Sequence, residues 1–231
     1  MARSNLELLE LAARTLEALL PEIVFVGGCA IGQLITDPGA GPVRATFDVD
    51  VIAEIVSYAE YVVFSNRLKQ LGLNEDTREG APVCRWRHGE LTLDVMPLDD
   101  RVLGFSNRWY PEVLRTATEA GLPSGRILRV IAAPLFVATK IEAFGSRGSK
   151  DFFASRDLED VVTVVDGRAS LAEEVSGSSG EVKTYVGQGV KDLLRESRFL
   201  EALPGYLLPD AANQARLEQL IETLHELARL A

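Results

Sequence analysis

Two aspartates separated by one residue are the first feature of this sequence that indicates chemistry. Asp48 and Asp50 lie in the segment TFDVDVIAEIV (46–56), whose alternation of polar and apolar residues predicts a β-strand. Because successive side chains of a strand point to opposite faces, the two carboxylates share one face and Phe47 points to the other. Two oxygen donors on one face suit Mg²⁺, or Mn²⁺ in its place, with coordination positions left for phosphates and water. Taken alone, the same pattern is common on solvated edge strands.

A third aspartate strengthens the metal interpretation. Asp94 lies within the apolar run LTLDVMP (91–97), which predicts a further strand after a turn near residues 88–89. If this strand neighbours the first, three carboxylates would surround a two-metal centre that aligns an attacking oxygen, an α-phosphorus and a pyrophosphate leaving group. Asp94 would then bind metal or take the proton of the attacking hydroxyl. The alternative is a single hydrogen-bonded carboxylate at the end of a strand.

A Gly-Gly pair stands between a predicted strand (23–26) and a predicted helix (29–35). Gly27 and Gly28 would let backbone N–H groups approach a phosphate, and the N-terminus of a helix favours negative charge. The Gly-Lys-Ser/Thr of a Walker loop does not follow. The pair is weak evidence alone, but its place ahead of three carboxylates favours a nucleotide site.

The order of these motifs resembles the DNA polymerase β-like nucleotidyltransferase superfamily, and within it the AbiEii-type and MenT-like toxin nucleotidyltransferases. The segments that carry the resemblance are VGGCAIGQL, RATFDVDV, LTLDVMP, ATKIEAF and SRDLEDVV, within residues 23–167. They match a Gly-Gly turn, an Arg-x-Ser/Thr-x-Asp-x-Asp strand, a later single Asp, and a Lys ahead of an Arg-Asp-Leu-x-Asp segment. The spacing between the turn and the Asp pair is longer here than is usual in the superfamily, and it contains a Pro-Gly-rich loop at 38–42.

The resemblance assigns roles to individual residues. The implied catalytic metal ligands are Asp48, Asp50 and Asp94. The residues that would line the triphosphate pocket are Gly27, Gly28, Thr46 and Lys140. Thr46 could instead only continue the strand, and a lysine on a helix is commonly a solvated charge. Asp157 and Asp160, at i and i+3 of a predicted helix, would cap that helix or orient Lys140.

The resemblance also implies a reaction. A nucleoside monophosphate would move from an NTP to a hydroxyl, with Mg²⁺ as cofactor and pyrophosphate as the second product. The implied acceptor is a tRNA 3′ end or a protein side chain, and the implied role is the toxin of a toxin–antitoxin pair, with a cognate antitoxin as partner. A fold does not choose its acceptor, so a small-molecule acceptor such as an antibiotic stays open. A glycosyltransferase and a catalytically silent antitoxin or binding module are the rivals from other classes.

The elements that must position these residues divide the chain into two parts. Residues 1–132 predict an α/β (α+β) nucleotidyltransferase core with a small mixed sheet. Residues 133–231 predict a helical part that would close the active-site cleft. The helices predicted in this second part span 135–145, 155–166, 180–199 and 211–230.

Composition restricts the classes of partner. With 24 Lys and Arg against 34 Asp and Glu among 231 residues, the net charge is −10, which argues against broad nucleic-acid binding. Local recognition of one RNA end stays open. No apolar run has the length of a membrane span, and residues 4–20 predict an amphipathic helix rather than a secretory signal. Two cysteines and two histidines argue against a zinc site, and a reduced cytoplasmic setting is expected.

Overall fold

The structure is a computed structural model that describes residues 3–146 and 151–231. The chain forms two compact units. The first comprises residues 1–33 and 44–132, and the second comprises residues 34–43 and 133–231. The Pro-Gly-rich loop at 38–42 therefore groups with the C-terminal helices and not with the N-terminal part in which the sequence pattern places it.

The first unit is built on a seven-stranded mixed β-sheet. Its strands are β1 Ile23–Val26, β2 Val49–Ala53, β3 Asn74–Glu75, β4 Arg85–His88, β5 Leu91–Met96, β6 Thr118–Gly121 and β7 Ile127–Val130. Their order is β3-β4-β5-β2-β1-β7-β6. The β2–β5 and β1–β7 pairs are parallel, and the other neighbours are antiparallel. The predicted mixed α/β fold class is confirmed.

Apolar residues place β1 and β2 in the middle of this sheet. Every residue of β1 is buried, as are Val49 and Val51 of β2. A strand that is covered on both faces has a nearly continuous apolar sequence, as β1 does. The helices of this unit are α1 Asn5–Thr15, α2 Gly27–Ala30, α3 Tyr58–Gln70, α4 Asp100–Leu103 and α5 Tyr110–Thr116. Short 3₁₀ segments occupy Glu17–Glu22 and Ile31–Gln33. Helix α1, which begins with a capping box at Ser4 and Glu7, packs against β2, β5 and α2.

Several boundaries differ from the sequence prediction. The strand predicted over 46–56 is limited to Val49–Ala53, because residues before it hydrogen-bond to the side chain of Asn5 instead of to a neighbouring strand. The helix predicted from residue 29 begins at Gly27. The N-terminal helix ends at Thr15. The short elements β3, β6, α4 and α5 lack the periodicity that would have predicted them.

The second unit is helical, as predicted. Its helices are α6 Ala133–Ser146, α7 Arg156–Gly167, α8 Leu171–Ser176, α9 Gly180–Arg195, α10 Ser197–Tyr206, α11 Ala211–Gln214 and α12 Leu217–Ala228. Helix α6 packs against α7 and α9, and α12 packs against α9 and α7. The helix predicted over 180–199 is interrupted at Glu196, whose extended backbone ends α9 and begins α10. Among the described helices, none combines the length and apolarity needed to cross a bilayer.

Hydrogen bonds to the end of α7 attach residues 34–43 to the second unit. The N–H groups of Thr36 and Asp37 donate to the carbonyl oxygen of Gly167 at 2.9 and 3.0 Å. Arg216 donates to Asp37 Oδ2 at 2.7 Å and to Asp166 Oδ1 at 2.9 Å. The hydrogen bond from Arg216 is the main reason that the pKa of the Asp37 carboxyl is lower than its ordinary value of 3.8. The loop is thus anchored by backbone and charged contacts.

Replacing Arg216 by Gln tests this anchor. The variant loses the charged contact to Asp37, so we expect faster amide hydrogen exchange at Thr36 and Asp37, by about tenfold. Exchange is measured by NMR or mass spectrometry, with Arg229→Gln, an exposed residue after α12, as control. Unchanged exchange at both amides would show that the backbone contacts alone hold the loop.

Candidate active site

Two of the three predicted carboxylates lie opposite each other on neighbouring strands. Strands β2 and β5 run in parallel, and their register pairs Asp50 with Asp94. Directly paired residues point to the same face of a sheet, so both carboxylates lie on one side. Asp94 is only 5% exposed, and its chain neighbours Leu93 and Val95 are buried in the apolar core. The expectation that the second strand adjoins the first is confirmed.

Helix α1 positions the third carboxylate. Asp48 directly precedes β2, and the segment that leads to it is held by Asn5 at the start of α1. The Asn5 side chain donates to the carbonyl oxygen of Arg44 at 2.9 Å and accepts the Thr46 N–H at 3.0 Å. The hydroxyl of Thr46 also donates to the carbonyl oxygen of Asp48 at 3.3 Å. Asn5 carries no signal in the sequence beyond its place in the first helical turn.

The departure from a regular strand changes the surroundings of the residues just before β2. Phe47, predicted to point with Val49 into the apolar side, is 76% exposed because the strand begins only at Val49. Thr46 is buried and lies outside the strand. Its predicted contact with phosphate stays a prediction, since the hydroxyl here donates to the carbonyl oxygen of Asp48 and to Asn5 Oδ1.

Gly27 lies directly against the Asp50 carboxylate. Its φ of +68° is in the left-handed region, which a side chain disfavours. A Cβ built on Gly27 would be 1.9 Å from Asp50 Oδ2, so the absence of a side chain makes room for this carboxylate. The sequence pattern assigns the close approach at Gly27 to a phosphate, and in the structure the approaching group is the protein's own carboxylate. Gly28 is buried in α2, and its predicted place beside a triphosphate stays a prediction.

One arginine, absent from the sequence prediction, joins two of the carboxylates. Arg85 Nε donates to Asp94 Oδ1 at 2.8 Å, and Arg85 Nη2 donates to Asp94 Oδ2 at 2.7 Å and to Asp48 Oδ2 at 2.6 Å. The hydrogen bond to Asp94 is the main cause that raises the pKa of Arg85, so the guanidinium keeps its charge. The sequence predicts the hairpin but not this pair: a turn at 88–89 would pair residue 85 with residue 92, whereas the observed turn at 89–90 pairs Arg85 with Asp94.

The carboxylates form a face that fits a positive ion. Asp48, Asp50 and Asp94 supply hard oxygen donors of the kind that Mg²⁺ prefers, and a guanidinium cation is already bonded to two of them. Within residues 3–146 and 151–231, no group of three His, Cys, Asp or Glu side chains is arranged to hold a metal ion. The chemistry of these donors suits a divalent cation, but their arrangement in the structure is the one that binds Arg85 and not one that holds a metal ion.

Two buried thiols lie near the same negative charges. Burial raises the pKa of Cys29 to about 12, with the charges of Asp50 and Asp48 adding to the effect. Burial likewise raises the pKa of Cys84 to about 12, helped by the charge of Asp94. Both thiols stay protonated at neutral pH, so neither is an activated nucleophile.

Lys140 belongs to the second unit and is not a solvated charge. Its ammonium lies 2.7 Å from Asp160 Oδ2 and 3.5 Å from Asp157 Oδ1, and its side chain is only 16% exposed. Both carboxylates, on α7, are buried, and the ammonium also lies over the Phe136 ring at 5.5 Å from the centroid. These contacts restrict the orientation of Lys140. Its predicted contact with a triphosphate stays a prediction.

The chain is similar in fold to solved structures at low sequence identity. The solution structure of the antibiotic-resistance factor ANT(2'')-Ia matches with a TM-score of 0.48 and 15% identity, over 85% of this chain and 93% of that one. A candidate nucleotidyltransferase from Helicobacter pylori matches with a TM-score of 0.44 and 15% identity, over 100% and 94%. JHP933 from Helicobacter pylori matches with a TM-score of 0.44 and 16% identity, over 98% and 89%. No protein-family model and no curated protein matches the chain.

Replacing Gly27 by Ala tests the contact with Asp50. The methyl group would require a left-handed alanine and would displace the Asp50 carboxylate, so we expect the free energy of unfolding to fall by about 3 kcal/mol in urea denaturation. Gly89→Ala is the matched control, because Gly89 is also left-handed, with a φ of +54°, and an added Cβ there meets nothing within 4 Å. Equal stabilities of the two variants would mean that Gly27 and Asp50 are not in contact.

Replacing Lys140 by Met tests its ion pairs. The change removes an ammonium from two buried carboxylates while it keeps the aliphatic chain, so we expect a loss of about 2–3 kcal/mol in the free energy of unfolding. Lys191→Met, an exposed lysine on α9, is the control and should change stability by less than about 0.5 kcal/mol. A loss for Lys140→Met no larger than that of the control would contradict a buried pair.

Proposed function

We propose that this protein is a metal-dependent nucleotidyltransferase, which moves a nucleoside monophosphate from an NTP to a hydroxyl acceptor. The observation that carries the proposal is the pairing of Asp50 with Asp94 on adjacent parallel strands, with Asp48 joined to Asp94 through Arg85. Asp94 is buried, and Asp48 and Asp50 are half-buried near it; such a costly concentration of negative charge is better explained by a cation-dependent task than by stability alone.

The proposed reaction makes one bond and breaks one. The acceptor oxygen bonds to the α-phosphorus, the bond from that phosphorus to the pyrophosphate oxygen breaks, and the acceptor loses its proton. Asp48, Asp50 and Asp94 would hold Mg²⁺ or Mn²⁺, which when bound supplies positive charge to offset the phosphate oxygens. In the alternative to metal binding that the resemblance in sequence implies, Asp94 would accept the proton of the acceptor hydroxyl.

Features of the sheet favour this reaction over its rivals. A glycosyltransferase that uses an Asp-x-Asp motif would be expected to have a longer parallel sheet and has no need of Asp94, whereas this sheet is mixed and β1–β2 is antiparallel. A silent antitoxin or binding module of the same fold would have no reason to keep three neighbouring carboxylates. Gly27, which accommodates the Asp50 carboxylate, adds a further position that such a module would not need.

The acceptor is the less constrained half of the proposal. Following the resemblance, we propose a tRNA 3′ end or a protein side chain as acceptor, with the protein acting as a toxin that is neutralised by a cognate antitoxin. A net charge of −10 favours a small-molecule or protein acceptor over RNA, because phosphate contacts need basic surface. A small-molecule acceptor is the alternative, and it would use the same carboxylates.

The decisive experiment supplies each α-³²P-labelled NTP with Mg²⁺ and one of three additions: total tRNA, a protein mixture, or none, so that self-labelling is also detected. We expect one NTP to label one acceptor, and the double variant Asp48→Asn/Asp50→Asn to reduce labelling by at least about a thousandfold, the scale on which loss of a main electrostatic contribution acts. Asp100→Asn, an exposed carboxylate on α4, is the matched control.

The outcomes separate the proposals. Label in tRNA or protein supports the toxin role, and toxicity on expression that depends on Asp48 and Asp50 would strengthen it. Release of labelled pyrophosphate from γ-³²P-NTP only with a small hydroxyl compound would indicate the small-molecule alternative. No labelling with any NTP, together with equal NTP binding by the wild type and the double variant, would contradict the enzyme and leave a binding module.

A further inference from the structure

We propose that Arg85 is a built-in counter-ion, which occupies the Asp48–Asp94 pair when no divalent cation is bound and must leave it when one binds. Arg85 is then a positioning residue that sets the affinity of the site for metal. The inference rests on the proposed function, because it assumes that these carboxylates are the metal ligands.

The contacts of Arg85 engage the groups that a cation would need. Both oxygens of Asp94 accept a hydrogen bond from the guanidinium, at 2.8 and 2.7 Å. Nη2 also reaches Asp48 Oδ2 at 2.6 Å. A cation that uses Asp48 and Asp94 together therefore competes with this guanidinium for the same oxygens, and so does a proton transferred to Asp94.

Charge explains why this occupant is an arginine. Carboxylates held on one face repel each other, and the effect is stronger where they are buried, as Asp94 is. A guanidinium cannot lose its proton at neutral pH and fits a carboxylate with two parallel hydrogen bonds. It thereby stabilises the fold without metal, and it can leave only by moving the side chain and not by deprotonation.

The backbone around Arg85 allows the side chain to move alone. The next residue, Trp86, is fully buried and pairs with Leu93 in the antiparallel β4–β5 ladder, which fixes the strand. The Arg85 side chain, in contrast, is 22% exposed, and Asp48 is 34% exposed at the side chain. A rotamer change can therefore take the guanidinium out to solvent while the strand and Asp94 keep their register.

Linkage turns this competition into a measurable effect. A cation that must displace Arg85 shows an apparent affinity below its intrinsic affinity, by a factor set by the stability of the Arg85 ion pairs. Removing Arg85 restores the intrinsic affinity. The same removal destabilises the metal-free protein, since Asp48 and Asp94 then lack the guanidinium. Metal affinity and metal-free stability should consequently change in opposite directions.

The test measures Mn²⁺ binding by the full chain, with free Mn²⁺ quantified by EPR and heat of binding by calorimetry, at pH 7.5 without nucleotide. We expect Arg85→Gln to bind Mn²⁺ at least about tenfold more tightly than the wild type, because charge-assisted bonds to two carboxylates no longer compete. Arg85→Lys should be intermediate. Arg101→Gln, an exposed arginine on α4, is the control and should match the wild type.

A second measurement follows the Arg85 side chain in the wild type. In ¹⁵N-labelled wild type, the side-chain Nε–H signal of Arg85, assigned by its absence in Arg85→Lys, should shift and exchange faster with water as Mg²⁺ is added. Thermal unfolding should show a lower midpoint for metal-free Arg85→Gln and a larger rise on addition of Mn²⁺.

The failures of the two proposals are distinguishable. Equal or weaker Mn²⁺ binding by Arg85→Gln, or an Arg85 signal that Mg²⁺ leaves unchanged in a wild type that binds the ion, overturns the counter-ion role while the nucleotidyltransferase proposal stands. Binding by neither wild type nor Arg85→Gln, or binding that survives Asp48→Asn/Asp50→Asn, overturns the metal site itself and the counter-ion role with it.

Discussion

Repulsion among three carboxylates is the constraint around which the first unit is arranged. Asp50 and Asp94 are held opposite each other by the parallel β2–β5 pairing, and Asp48 is brought to them by a segment that Asn5 anchors. Such a face is stable only with positive charge or strong hydrogen-bond donors beside it. Arg85 supplies the charge, and it does so from the strand that pairs with the one carrying Asp94.

The same negative face determines how its neighbours are built. Gly27 has no side chain at the point where the Asp50 carboxylate meets the backbone. The thiols of Cys29 and Cys84 are kept protonated by burial and by the carboxylate charges, so they contribute packing and no competing nucleophile. In the second unit, Lys140 presents the reverse arrangement, an ammonium held by two buried carboxylates. Both units thus use a close ion pair to keep charged side chains inside a largely apolar interior.

The long spacing between the Gly-Gly turn and the Asp pair has a structural explanation. Residues 34–43 do not extend the first unit but are attached to the end of α7 by Gly167 and by Arg216. The chain therefore leaves the first unit after Gln33, contributes a loop to the helical unit and returns at Arg44. Composition predicts a loop here, because Pro and Gly disfavour regular structure, yet it says nothing about which unit the loop joins.

Local patterns in the sequence determined the element types and the candidate residues. The alternation around Asp50 and Asp94, the apolar run of β1 and the stripes of the C-terminal helices predict a mixed sheet followed by helices, because each pattern depends only on residues near in sequence. The contacts that complete the site depend on residues far apart in sequence: Asn5 with Thr46, Gly27 with Asp50, and Arg85 with Asp48. Only the tertiary structure decided these, because strand order, register and chain crossover set which distant groups meet, and no local periodicity encodes them.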